Sequence, residues 1–196
     1  MNDPTPPPPV SVRERNRNRG LLILIVVVFF GSALVAGALR FSGWRPEGMK
    51  NHGELLQPPG DLRAMTPRLV DGGAYEWNPA ERTWRILVAP PAECTEACTR
   101  LTHDLDKVWR LFGHNADQVH ILWVGTPPEG ALQNRVWHVL APDPALSAAL
   151  PRNDEGGAGG APVYVVDPNG FVILRYAPGF DPGHLRTDMA RLLRLK

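Results

Sequence analysis

Gly20 to Leu39 is a run of twenty residues without a charge or a proline. At about 1.5 Å per residue a helix of that length spans roughly 30 Å, the thickness of one hydrocarbon core. A core helix of a soluble domain would carry a polar stripe, and this run carries none. Ala36-Gly37-Ala38 looks like a signal-peptide cleavage site. The apolar run, however, exceeds a signal-peptide core and Arg40 follows at once, which favours an uncleaved membrane anchor. Arg13, Arg15, Arg17 and Arg19 precede the span and outweigh Arg40 and Arg45 after it. The positive-inside rule then puts the amino terminus in the cytoplasm and the rest on the far side, which in a bacterium is the periplasm.

The formal charge of +1 averages two unlike parts. Residues up to Lys50 hold seven basic and three acidic side chains, while the remainder holds fourteen and seventeen. A slightly acidic exported part speaks against nucleic acid as a partner. The membrane is the one partner that composition alone identifies. Organisation follows as a proline- and arginine-rich cytoplasmic tail (1–19), a transmembrane helix (20–39), a linker or irregular lead-in broken at Pro58-Pro59-Gly60 (40–67), and one exported domain (68–196).

In the exported part, Leu69-Val70 and Tyr75–Trp77 flank Asp71-Gly72-Gly73 and suggest a hairpin turn. Trp84–Ala89 reads as a buried strand stopped by Pro90-Pro91. Leu101, Leu105, Val108, Trp109 and Phe112 recur at helical spacing, and Gly113 stops that helix. Val119–Val124 is a second strand, Arg135–Leu140 a short one, and Pro144–Leu150 a short helix. After the Gly-rich loop Asn153–Gly160 comes a strand at Val163–Val166. Asp167-Pro168-Asn169-Gly170 then turns the chain into Phe171–Tyr176. Asp181 caps a last helix with Pro182 at its first position and Leu185, Met189, Leu192 and Leu193 as its apolar stripe. The first two strands, joined through a helix, should be parallel, and the hairpin antiparallel in the same sheet. Strands apolar on both sides require cover on both faces. The expected fold is α/β and thioredoxin-like, a mixed sheet with helices on both faces. Trp84, Trp109, Trp123 and Trp137 belong to its core.

Cys94 and Cys98 are the only cysteines. They lie between a strand end and a helix start, where free N–H groups and the helix dipole favour a thiolate. Their spacing puts both sulfurs on one helical face, so a disulfide or a shared soft metal ion is feasible. A stabilising disulfide over so short a loop would contribute about 2 kcal/mol, which leaves room for a redox or metal role. Glu93 and Glu96 oppose a thiolate. Pro162, after Ala161, opens the third long strand and is the candidate cis-proline facing the cysteines.

Leu69-Val-Asp-Gly72, Trp84-Arg-Ile-Leu-Val88, the Cys-x-x-x-Cys opening a helix, and Tyr164-Val-Val-Asp-Pro-Asn-Gly170 together resemble the Sco family, over 63–196 plus the anchor. These are membrane-anchored, thioredoxin-like proteins of cytochrome c oxidase assembly. The resemblance implies that Cys94 and Cys98 are copper-ligating or redox thiols, that Cu(I) is the metal handled, and that an oxidase subunit or another assembly factor is the partner. Thr99 stands where the family has proline, Pro90-Pro91-Ala92-Glu93 replaces an aromatic-glycine lead-in, and 154–162 contains no histidine where the family's third copper ligand sits. That leans the site toward thiol–disulfide exchange or Cu(I) alone. Of the six histidines, His138 is the first to test as a substitute ligand; His103 and His184 follow, with His52, His114 and His120 peripheral. The rival reading is a degenerate thioredoxin-like interaction module without redox or metal chemistry.

Overall fold

The computed structural model describes residues 12–42, 50–131, 135–157 and 159–194. The proline-rich start of the tail, up to residue 11, lies outside them, as do 43–49 of the expected linker. The chain divides into two units, 1–49 and 50–196.

In the first unit, α1 runs from Val12 to Phe41, so the helix takes in the arginines ahead of the apolar run. It is long and apolar enough to cross a membrane, and its Leu, Ile, Val and Phe side chains from Leu21 to Phe30 are exposed on every side. Ser32 donates its hydroxyl to the Phe29 carbonyl at 2.8 Å. A hydroxyl satisfied within its own helix suits a solvent that offers no partner.

The second unit is built on one six-stranded sheet. Its strands are β1 (Glu54–Asp61), β2 (Trp84–Val88), β3 (Val119–Val124), β4 (Trp137–Leu140), β5 (Val163–Val166) and β6 (Phe171–Tyr176), in the spatial order β1-β6-β5-β2-β3-β4. β2 is parallel to β3 and antiparallel to β5, and β5 is antiparallel to β6. The helices are α2 (Glu96–Arg110), α3 (Pro144–Ala149) and α4 (Pro182–Leu192). Register separates the two faces. Ile86, Val88, Ile121, Trp123, Val163 and Val165 pack with Leu105 and Val108 of α2 and Leu185 and Met189 of α4. Leu87, Leu122, Val124, Tyr164 and Val166 pack with Leu146 of α3 and with Leu62 and Tyr75 of the lead-in. The expected mixed, thioredoxin-like sheet is present, with one face covered by two long helices and the other by a short helix and irregular chain.

The sheet reaches further back than the expected boundary at residue 68. β1 lies within the segment read as linker and pairs with β6 at the sheet edge. Pro58 and Pro59 fit there because an edge strand leaves one row of N–H positions unpaired, and the register shifts between Leu55 and Gly60 around them. Asp71-Gly72-Gly73 does turn the chain, but the flanking segments meet only in an isolated bridge, Arg68 to Ala74, not in a full hairpin.

Candidate functional site

β2 is followed by Ala89 and Pro90-Pro91, and the chain closes a tight turn in which the Cys94 N–H donates to the Pro91 carbonyl at 3.1 Å. Thr95 then occupies the N-cap position of α2 without a side-chain cap bond, leaving the first N–H groups of the helix uncapped. Cys98 falls in the first turn of α2, and it is joined to Cys94 by a disulfide with the Cα atoms 5.5 Å apart. Of the two chemistries that the spacing allows, the structure holds the disulfide. Exposure differs between the sulfurs' residues. Cys94 is 8% exposed and Cys98 1%.

A groove of about 740 Å³ opens beside them at the carboxyl ends of β2 and β3. Pro90, Pro91 and Cys94 form one wall, the segment from Trp123 to Glu129 the other, and Glu96 and Thr99 of α2 one end. In open α/β sheets this edge is where ligands bind. The two parallel strands end together there, while α2 points its positive end at the disulfide.

The 153–162 loop packs against the same turn. A Cβ on Gly156 would stand 3.0 Å from a ring carbon of Pro91 and 3.2 Å from one of Pro162. Gly156 thus lies between Pro91 of the cysteine turn and Pro162. The bond before Pro162 is trans, though; the cis peptide among the described residues is Gln57–Pro58. The Gly157–Gly160 bridge, with Gly160 at φ +135°, makes the reversal before β5, and Pro162 immediately precedes that strand.

Among the described residues no histidine forms a group with the cysteines that could hold a metal ion. His138 pairs in register with Leu122, whose side chain belongs to the face opposite the cysteines. His103 is exposed on α2, five positions past Cys98. His184 stacks on His52 with ring centroids 4.2 Å apart at the surface. Among the described residues no group of three or more His, Cys, Asp or Glu could hold a metal ion.

His120 is not peripheral. Its Nδ1 is 2.8 Å from the Tyr75 hydroxyl, its ring lies 4.5 Å from that of His138, and the same hydroxyl accepts a bond from the buried Arg85 Nε at 2.9 Å. Arg85 inside an otherwise apolar strand was the sequence signal for such a cluster. Burial first, then the neighbouring His138 and the Arg85 cation, push the His120 imidazole from 6.5 down to about 4. The unfolded chain therefore binds a proton that the folded one refuses between those values. Stability conferred by neutral His120 is complete above about pH 6.5 and is lost as pH falls toward 4. Urea midpoints should drop between pH 7.5 and pH 5, and His120→Gln should flatten that slope. An unchanged slope in the variant assigns the effect elsewhere.

Residues 84–196 match the family model of a transmembrane-like, thioredoxin-like C-terminal domain. No curated protein sequence matches the chain significantly. Among solved structures, a SCO1/SenC family lipoprotein from Bacillus anthracis str. Ames is similar with a TM-score of 0.51 at 17% identity, over 70% of this chain and 98% of that one. BsSco, described as a member of the Sco family of cytochrome c oxidase assembly proteins with a disulfide switch, has a TM-score of 0.50 at 13% identity, over 77% of this chain and 100% of its own. Copper-bound ScoI from Arabidopsis thaliana has a TM-score of 0.49 at 14% identity, over 67% of this chain and 96% of its own.

Proposed function

This chain belongs to the transmembrane-like, thioredoxin-like C-terminal domain family, and from that premise we propose that it is a Sco-like, membrane-anchored thiol–disulfide exchange protein serving the copper site of a cytochrome c oxidase subunit. The anchor sits in a bacterial inner membrane with the arginines on the cytoplasmic side and the domain in the periplasm, a compartment where disulfides persist. The observation that carries the reading is the Cys94–Cys98 disulfide on the wall of a groove at the positive end of α2.

In the reduced domain, the Cys94 thiolate attacks one sulfur of the target's disulfide. A mixed disulfide forms and the target's other sulfur leaves as a thiolate. Cys98 then attacks the Cys94 sulfur, restoring the internal disulfide and releasing the second target thiolate. Two electrons pass to the target. In the reverse direction a target thiolate attacks Cys94 and expels Cys98, whose place in the first helical turn makes it the better leaving group. Cu(I), as cargo, suits the two thiolates of the reduced form because it accepts soft ligands in low coordination number.

Equilibration with glutathione buffers tests the redox core of the reading. A midpoint above about −300 mV is expected, and one well below it marks an inert structural bridge. Competition for Cu(I) against a chelator, with reduced and oxidised chain in parallel, tests the cargo. Binding should appear only in the reduced chain.

A further inference from the structure

The groove over Cys94 is acidic on its rim and apolar within. Glu96 and Glu129 line it, both exposed, and Glu93 stands exposed immediately before Cys94. The other lining residues are prolines, threonines, Trp123, Val124 and small residues, and among the described residues none that lines it is basic. Arg100 pairs with Glu96 one turn along α2, so among the described residues the rim charge outside an ion pair rests on Glu129 and Glu93, and Arg68 lines a separate depression beyond Gly125 and Thr126. Glu129 and Glu93 work against the chemistry of their own site, because a carboxylate near a thiolate raises its energy. A bound cation would cancel that penalty.

We propose that the groove selects cysteine-bearing segments that carry positive charge, a lysine or arginine, beside the reacting sulfur. The proposal rests on the thiol-exchange reading and names the substrate class of that same site. A cationic segment is attracted to the rim before contact. Once seated, it relieves the repulsion between the rim carboxylates and the sulfur that carries negative charge, whether that is Cys94 as nucleophile or the target's thiolate as leaving group. Selection and activation thus come from one electrostatic contact. An anionic segment meets the same carboxylates as repulsion at both stages.

The test oxidises the reduced full chain, held in detergent, with three small disulfides: cationic cystamine, neutral hydroxyethyl disulfide and anionic dithiodiglycolate. Each rate is divided by that of the same disulfide with free dithiothreitol, which removes intrinsic reactivity. At low salt the normalised rate for cystamine should exceed the neutral one by about tenfold and the anionic one should fall below it by a similar factor. The spread should collapse at high salt, where the Debye length is about 3 Å at 1 M. The double variant Glu93→Gln, Glu129→Gln should bring the cystamine-to-neutral ratio close to one. Exchange with all three at equal normalised rates, or a preference for the anion, overturns the proposal while leaving thiol exchange standing. Failure to react with any of the three overturns both.

Discussion

Replacing Cys94 with serine should abolish the proposed disulfide exchange, while Cys98→Ser should leave a chain that reacts once and stays covalently joined to its target. The asymmetry follows from where the two residues lie. Cys94 lines the groove, whereas Cys98 is 1% exposed behind it and can be reached only by the sulfur of Cys94. A serine hydroxyl at position 94 remains protonated at neutral pH, so the rate should fall on the order of a thousandfold or more. At position 98 the serine cannot resolve the mixed disulfide, which then accumulates. Non-reducing gels of each variant mixed with a cysteine-bearing target check both statements. Adduct formation by Cys94→Ser through Cys98 would reverse the assigned roles. Oxidase assembly unimpaired in cells carrying Cys94→Ser would leave the domain as an interaction module without chemistry.

The parts of this fold that could be read from the sequence are those whose signal is local. β2, β3, β5 and β6 are short apolar runs bounded by proline or a turn sequence, and their observed limits match the expected ones within a residue. α4 announces itself through Asp181, which accepts the Gly183 N–H at 2.8 Å, followed by Pro182. What could not be read depends on partners distant in the chain. Pro58-Pro59-Gly60 breaks every strand pattern, yet β1 forms because β6 offers it an edge. Whether His138 meets the cysteines depends on its register with Leu122, and a shift of one residue would have turned it to the other face. The cysteine pair was visible because type, spacing and position agree. The groove was not, because its second wall, Trp123 to Glu129, comes from a strand end some thirty residues later. Only the general rule that ligands sit beyond the carboxyl ends of strands pointed there.

The contact that fixes the start of the second unit leads to the second large effect: Asp188→Ala should unfold the domain about 10–15 °C earlier than wild type. Asp188 lies on α4 and is 2% exposed. Its Oδ2 accepts from the His52 N–H at 2.7 Å, the Gly53 N–H at 2.9 Å and the Tyr176 hydroxyl at 2.8 Å, and its Oδ1 lies 3.4 Å from Arg191. One carboxylate thus ties the residues just before β1 to β6 and to α4. Burial and the bond to Asp188 push the Tyr176 phenol well above its ordinary range, so it remains the donor at every working pH. Alanine would remove the shared acceptor and strand the buried Gly53 N–H and Tyr176 hydroxyl, together with the part-buried His52 N–H. Gly53 shows how tight the packing is: a Cβ there would stand 2.6 Å from Tyr176 Cζ. Losses of this kind cost about 3–5 kcal/mol. Asp188→Asn keeps one acceptor oxygen for the three donors and should cost less, and Tyr176→Phe, which removes one donor together with its need, about 1 kcal/mol. Thermal melts of the three variants order them, and hydrogen exchange at the His52 and Gly53 amides should speed up most in the alanine variant. A melting point for Asp188→Ala within a degree of wild type would mean that β1 is held by its pairing with β6 alone.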